Sequence, residues 1–331
     1  MDRIRVGVVG VGHLGQHHAR NYSEMADVEL VGIVDTDRRT LTRVAERVGC
    51  EPLDDYRDLI GRVDAVSIVV PTTLHHPVAV DFIRAGVHVL IEKPIASTVE
   101  EARELIELAR ANRVILQVGH IERFNAAIIK LQEFLTLPGF IESHRLGPYD
   151  PRVRDVGVVL DLMIHDIDIV LQVVRSPIVS IDAIGVPILS EREDIANARL
   201  KFASGCTANL TVSRVTPTKM RKIRIFQPNT YVSIDYQRQA MEIYQREEIQ
   251  DAADDEPRAQ IVRRRLRLKK DEPLRRELDH FAACVRDGRE PDVTGEHGQN
   301  ALEVAIQIIE QIQAKTAGLE EIISRMPEGI P

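Results

Sequence analysis

The sequence contains no tryptophan, and aromatic residues make up only 4% of its 331 residues. A core built from this chain must rest on Val, Ile, Leu and Ala. Cysteine is scarce: Cys50, Cys206 and Cys284 are far apart. That is too few for a disulfide framework, the spacing fits no metal centre, and the cytoplasm is the default expectation. There is no basic excess, since 43 Lys and Arg against 51 Asp and Glu give a formal charge of −8. This argues against a general nucleic-acid binder. No apolar run approaches the ~20 residues of a membrane helix. The longest, 156–174, is interrupted by Asp161, His165, Asp166 and Asp168. The opening MDRIRVGVVGVGHLG has neither a basic leader nor a small-residue cleavage site, so no signal peptide is expected.

What is present is 44% hydrophobic and 28% charged, an ordinary globular composition. The length predicts about two domains. Val/Ile-rich runs at 4–9, 28–34, 64–70, 87–91 and 114–118 alternate with helical spacing at 14–25, 37–47, 75–85 and 98–111. Continuous apolar strands alternating with helices predict an α/β unit with a parallel sheet covered on both faces. Thr98 followed by Glu101 is a capping-box pattern. The texture changes after 120, which sets expected domains of 1–120 and 121–331. A helix is predicted at 124–136, a strand at 140–146, a polar loop at 147–157 and an apolar helix at 158–174. Mostly strands follow from 178 to 246, and short turns such as Ala203-Ser204-Gly205 predict antiparallel pairing. Residues 247–258 read as an acidic mobile loop, VRRRLRLKK (262–270) as an exposed strand, and 273–287 and 297–317 as helices.

Residues 6–15, VGVVGVGHLG, place Gly10, Gly12 and Gly15 in G-x-G-x-x-G directly after a strand and at the opening of a helix. Gly10 permits the tight turn, Gly12 allows backbone approach to a pyrophosphate, and Gly15 allows close helix–strand packing. His13 and Leu14 lie in the same loop, where a helix N-terminus offers its amides to phosphate. Asp35 ends the second strand, placed to accept hydrogen bonds from ribose hydroxyls. It favours NAD over NADP, although Arg38 and Arg39 follow closely. A glycine turn without ligand is the bland alternative.

Lys93, in Glu92-Lys93-Pro94, ends a buried strand at the edge where open α/β sheets bind ligands. A surface lysine before a turn proline is the alternative. On the helix at 158–174, a rotation of 100° per residue brings Asp161, His165, Asp168 and Gln172 onto one stripe and leaves Asp166 off it. Asp161 beside His165 can orient the ring. The alternative is a buried polar network that only fixes packing.

The order GxGxxG, Asp after strand two, P-T-T-x-H, AGVHVLIEKPIAST and a D-x-x-x-H helix resembles the Gfo/Idh/MocA oxidoreductases over essentially the whole chain. The resemblance implies a Rossmann dinucleotide-binding domain, then an α/β domain with a large open, mainly antiparallel sheet. It implies NAD-dependent oxidation of a secondary alcohol. Lys93 then touches nicotinamide ribose and substrate, and Lys93-Pro94 is a candidate cis bond. Thr72, where the family often has Asn, and His75 stand near the cofactor with Glu92. Asp161 and His165 match the family's D-x-G-x-H, with Met163 at the glycine. His165 is the expected base, Lys93 the group stabilising the alkoxide, and Asp161 the holder of His165. No metal is expected.

Two segments, 118–127 and 143–157, bring His120, Arg123, Asn125, His144, Arg145, Tyr149, Arg152 and Arg154 toward the expected substrate, with Asp161 and His165. Arginines suit a phosphate-bearing ligand; alternatively they pair with Glu122, Asp150 and Asp155. GHIERFN and HRLGPYDPRVRDVGVVLDLMIHDID are most similar to the family's bacterial UDP-N-acetylglucosamine 3-dehydrogenases. That implies oxidation of a UDP-sugar 3-hydroxyl, paired with an aminotransferase that makes a 3-amino sugar for lipid A. Rival readings are a UDP-N-acetylglucosaminuronate 3-dehydrogenase, an inositol or free-sugar dehydrogenase, and a non-catalytic dinucleotide-binding regulator. Retention of Lys93, Asp161 and His165 argues against the last. An open sheet rich in Ile and Val needs cover, so a homodimer or homotetramer is expected.

Overall fold

The computed structural model describes residues 3–150, 156–249 and 258–324. The chain divides into two compact units, one of residues up to Phe124 with Asp271–Leu302, the other of Asn125–Lys270 with the chain from Glu303. The first unit thus runs past residue 120 to Phe124, and 271–302 returns to it.

In the first unit, β1 (Ile4–Val9), β2 (Val28–Val34), β3 (Glu51–Leu53), β4 (Ala65–Ile68), β5 (His88–Glu92) and β6 (Leu116–Gly119) form a sheet ordered β3-β2-β1-β4-β5-β6. All its pairings are parallel. Helices α1 (Gly15–Ser23), α2 (Arg38–Val48), α3 (His75–Arg84) and α4 (Val99–Asn112) connect them. Strand β3, too short to show a period, is the element the sequence pattern missed. Val6, Val8, Ile33, Val66 and Leu90 are inaccessible, and each such side chain contributes about 1.5–3 kcal/mol on burial. Thr98 caps α4, its Oγ1 accepting from the Glu101 amide (3.1 Å), while the return bond of the predicted box shifts by one residue, Glu101 Oε2 accepting from the Ser97 amide (2.9 Å).

Helix α7 (Pro273–Asp287) explains the return of 271–302. Its Leu274, Leu278, Phe281 and Ala282 lie at helical spacing and join Val6, Val8, Tyr22 and Ile33 in one core. The strand order reverses between β1 and β4, so the carboxyl ends of these strands flank a topological switch point, where ligands of such sheets bind. Gly10 follows β1 there.

The second unit contains β7 (Phe140–Leu146), β8 (Ile178–Val186), β9 (Ile195–Phe202), β10 (Thr207–Ser213), β11 (Met220–Gln227), β12 (Thr230–Asp235), β13 (Ala240–Ile249) and β14 (Arg258–Leu266). The sheet order is β14-β13-β12-β11-β7-β10-β9-β8. Only β7 and β10 pair in parallel among these strands. Helix α5 spans Ala126–Leu131 and α6 Ile164–Val174, and α8 (Gly295–Ser324) belongs to this unit from Glu303 onward. α5 is shorter than the predicted 124–136. Beyond its end, Gln227 accepts from the Thr136 amide (2.9 Å) and donates to the Phe134 carbonyl (2.5 Å). The basic run lies largely in β14, where Arg263 and Arg264 pair with Glu242 and Glu247 of β13 (2.8 and 2.6 Å). β13 extends to Ile249, and the acidic loop expected beyond it falls on 250–257, outside the described residues.

Candidate active site

Gly10 adopts φ +85°, and a Cβ there would sit 2.4 Å from the Val69 carbonyl oxygen. A Cβ on Gly15 would meet the Gly10 carbonyl oxygen at 1.8 Å, so the turn and α1 close on each other only as glycines. Gly12 differs: a Cβ would meet nothing within 4 Å. Gly12, His13 and Leu14 are exposed. α1 has no side-chain cap and no acid in its first turn. The amides of Gln16 and His17 turn back on the carbonyls of Gly12 (3.3 Å) and Leu14 (2.8 Å), and the positive end of the helix, with no acid beside it, suits an external anion. Asp35 is oriented by backbone, accepting from the amides of Val11 (2.8 Å) and Asp37 (2.9 Å). Arg38 is turned to Asp54 at 2.7 Å. The loop and the acid fit a dinucleotide with free ribose hydroxyls.

Lys93 follows β5 and is half-buried, and its bond to Pro94 is cis. Glu92, expected at the cofactor, is instead buried against His18, with Oε1 3.2 Å from His18 Nε2. Its Oε2 accepts from the Lys93 amide at 3.3 Å. His18 Nδ1 has no hydrogen-bond partner among the described residues. Glu277 of α7 is fully buried, and its carboxyl oxygens have no hydrogen-bond partner among the described residues. Burial first, then the charge of Glu92, pushes its carboxyl well above the usual range. The sequence pattern missed this acid because it sits among the apolar positions of an amphipathic helix. His75 is also buried. Its Nδ1 lies 2.8 Å from the Pro94 carbonyl and its Nε2 2.9 Å from that of Val70, so it ties the cis turn to the end of β4. Burial lowers its pKa against those two carbonyls. Thr72 opens a 3₁₀ turn beside it and is half-buried.

In the second unit, a π turn at Val159–Met163 precedes α6. Asp161 lies in that turn and His165 in α6; both are half-buried. A π turn bonds i to i+5, so the 100° spacing assumed from sequence does not hold between them. π turns recur at functional sites. Asp168 is buried. Asp166, off the expected stripe, receives Arg145, whose Nε and Nη2 donate to Oδ2 (3.0 Å) and Oδ1 (3.1 Å). Both side chains are 2% exposed. Arg145 was expected at the substrate; the structure joins it to this buried pair, with its guanidinium 5.3 Å from the Tyr236 ring. Asn125, also expected there, caps α5 through the Ala127 amide (3.1 Å) and donates to the Tyr236 carbonyl (3.1 Å). Tyr149 lies against Arg214 at 5.5 Å. His120 and Arg123 are buried in the first unit, after β6. Arg152 lies outside the described residues, as do Arg154 and Asp155.

A glycine cradle at the switch point of a doubly wound sheet, with a lysine at the end of β5, defines a dinucleotide-dependent oxidoreductase. The chain belongs to the Gfo/Idh/MocA oxidoreductases. Residues 4–120 match the family's NAD-binding Rossmann domain and residues 140–233 match a C-terminal domain of the family. The chain is 35% identical to a UDP-N-acetylglucosamine 3-dehydrogenase of Acidithiobacillus ferrooxidans, over 95% of this chain and 99% of the relative. A solved structure of that enzyme superposes with TM-score 0.88 over 95% of this chain and 99% of the other. The scyllo-inositol 2-dehydrogenase (NAD(+)) of Bacillus subtilis is 28% identical over 92% of each chain. The first unit is thus an NAD-binding Rossmann domain, and the protein is an oxidoreductase.

Proposed function

We propose that the protein is an NAD-dependent dehydrogenase oxidising the 3-hydroxyl of UDP-N-acetylglucosamine to the ketone. The end-to-end likeness to the A. ferrooxidans enzyme carries this reading. The inositol dehydrogenase is a more distant relative at 28% identity. Bound NAD supplies the hydride acceptor. The amides at Gly12–Gly15 hold its pyrophosphate and Asp35 its ribose hydroxyls. His165 takes the hydroxyl proton as general base, Asp161 holds His165, and Lys93 stabilises the developing alkoxide. His120, Arg123, Tyr149 and Arg152 are the substrate contacts in this reading. Arg145, Asn125 and His75 serve as scaffolding.

The product, a 3-keto sugar nucleotide, feeds an aminotransferase making a 3-amino sugar for lipid A, in the cytoplasm. A homo-oligomer is part of the reading, supported by exposed Val179, Ile184 and Val186 on β8 and Phe226 on β11. The test is NADH formation, followed by its near-ultraviolet absorbance, with UDP-N-acetylglucosamine and a ketone trap or the aminotransferase with glutamate. UDP-N-acetylglucosaminuronate, inositol and glucose are run alongside. Turnover greatest with UDP-N-acetylglucosamine supports the reading. Greater turnover with another substrate transfers the assignment to it, and NAD binding without turnover on any of them favours the regulator.

A further inference from the structure

We propose that Glu193 is a positioning residue for Asp161 and His165, acting as a cap supplied from the β8–β9 connection to the helix that carries them. The proposal rests on reading His165 as the base.

The helix start has no cap of its own: Val158 occupies the capping position and makes no side-chain bond there. Glu193 fills the role from elsewhere in the chain. Its carbonyl accepts from the Val158 amide (3.0 Å), and its Oε1 accepts from the Val159 amide (3.2 Å). Such amides have no partner within a helix, and a carboxylate there also meets the helix's positive end. Gly157 gives Glu193 its space, because a Cβ on it would lie 1.9 Å from Glu193 Oε1.

The connection bearing Glu193 is itself rigid. Asp194 Oδ2 accepts from the amides of Ile188 (2.7 Å), Leu189 (2.5 Å) and Ser190 (2.9 Å). Its Oδ1 accepts from Arg214 Nε at 2.6 Å, with side chains 0% and 3% exposed. Arg214 also donates to the Val156 carbonyl (2.7 Å) and to Ser190 Oγ (2.7 Å). The same guanidinium thus holds the residue that leads into Gly157. Asp161 is two residues beyond the capped Val159, within the π turn, and its amide donates to the Gly157 carbonyl at 3.1 Å. Loss of the Glu193 cap therefore displaces the turn bearing Asp161 and the first turn bearing His165.

The test compares Glu193→Ala, Glu193→Gln, Glu193→Asp, Gly157→Ala and the double variant Gly157→Ala/Glu193→Ala. Turnover, the KM for NAD and amide hydrogen exchange over 158–165 are measured. Glu193→Ala is expected to lose roughly 10- to 100-fold in kcat, keep its KM for NAD, and exchange faster at 158–165. Glu193→Gln, whose Oε1 can accept the same bond, recovers most of kcat. Glu193→Asp, too short to reach Val159, does not. The double variant exceeds Gly157→Ala because the collision has gone. Wild-type kcat in Glu193→Ala overturns the proposal, as does a Glu193→Gln no better than Glu193→Asp. That Gln–Asp pair carries the test if the alanine variant does not fold. If His165→Asn retains turnover, the reading of the base fails instead, while the exchange measurement still judges the cap.

Discussion

The glycine turn of the first unit and the helix start of the second are built by opposite means. In the first, backbone does the work: Gly10 closes on the Val69 carbonyl, Gly15 closes on that of Gly10, and α1 has no side-chain cap. In the second, side chains from distant positions hold the backbone. Glu193 caps Val159, Arg214 grips Val156, and Arg145 closes on Asp166. A site made of backbone fails at a single added methyl. A site held by side chains fails in graded steps, and part of each loss can be recovered by replacing both partners.

The sharpest break of this contrast is Gly15→Ala. Its Cβ meets a carbonyl oxygen at 1.8 Å with no side chain to move aside. NAD binding by calorimetry is expected to vanish, and normal binding would refute the backbone account. Next is Arg145→Met, which leaves Asp166 buried and unpaired. A loss of about 3–5 kcal/mol in denaturant unfolding of the second unit is expected. Arg145→Met/Asp166→Leu is expected to regain most of that stability; an equal loss in both variants would show that the arginine matters for something other than its partner.

A smaller effect separates the first unit's buried acids. The Glu277 carboxyl is held well above its ordinary 4.5, by burial first and Glu92 second. The folded chain therefore keeps a proton that the unfolded chain releases as pH rises past that ordinary value. Stability from this group is greatest below the ordinary value and falls as pH rises toward the folded value. Glu277→Gln removes the slope: the variant gains on the wild type as pH rises above the ordinary 4.5, and parallel stability curves would contradict this. The smallest effect is Thr98→Ala, which removes a cap in the first unit and costs about 1 kcal/mol in thermal unfolding without altering KM for NAD.

The same contrast explains what the sequence revealed. The parallel sheet and the dinucleotide loop were legible because period and glycine spacing lie within short stretches. Lys93 was legible because it ends an apolar strand. The return of 271–302 was not, since the apolar face of α7 does not say which core it joins. Asp166 was set aside because it left the expected stripe, although Arg145 from β7 awaits it. The π turn was hidden because hydrophobic spacing cannot distinguish it from the α-helix that follows. Glu193 was hidden too, since a cap from a distant connection has no local signature.

The most direct test of the proposed chemistry is His165→Asn, with NAD affinity and turnover measured on the same preparation. The account predicts unchanged NAD affinity with turnover reduced about 10²- to 10⁴-fold. Turnover equal to that of the wild type would contradict it.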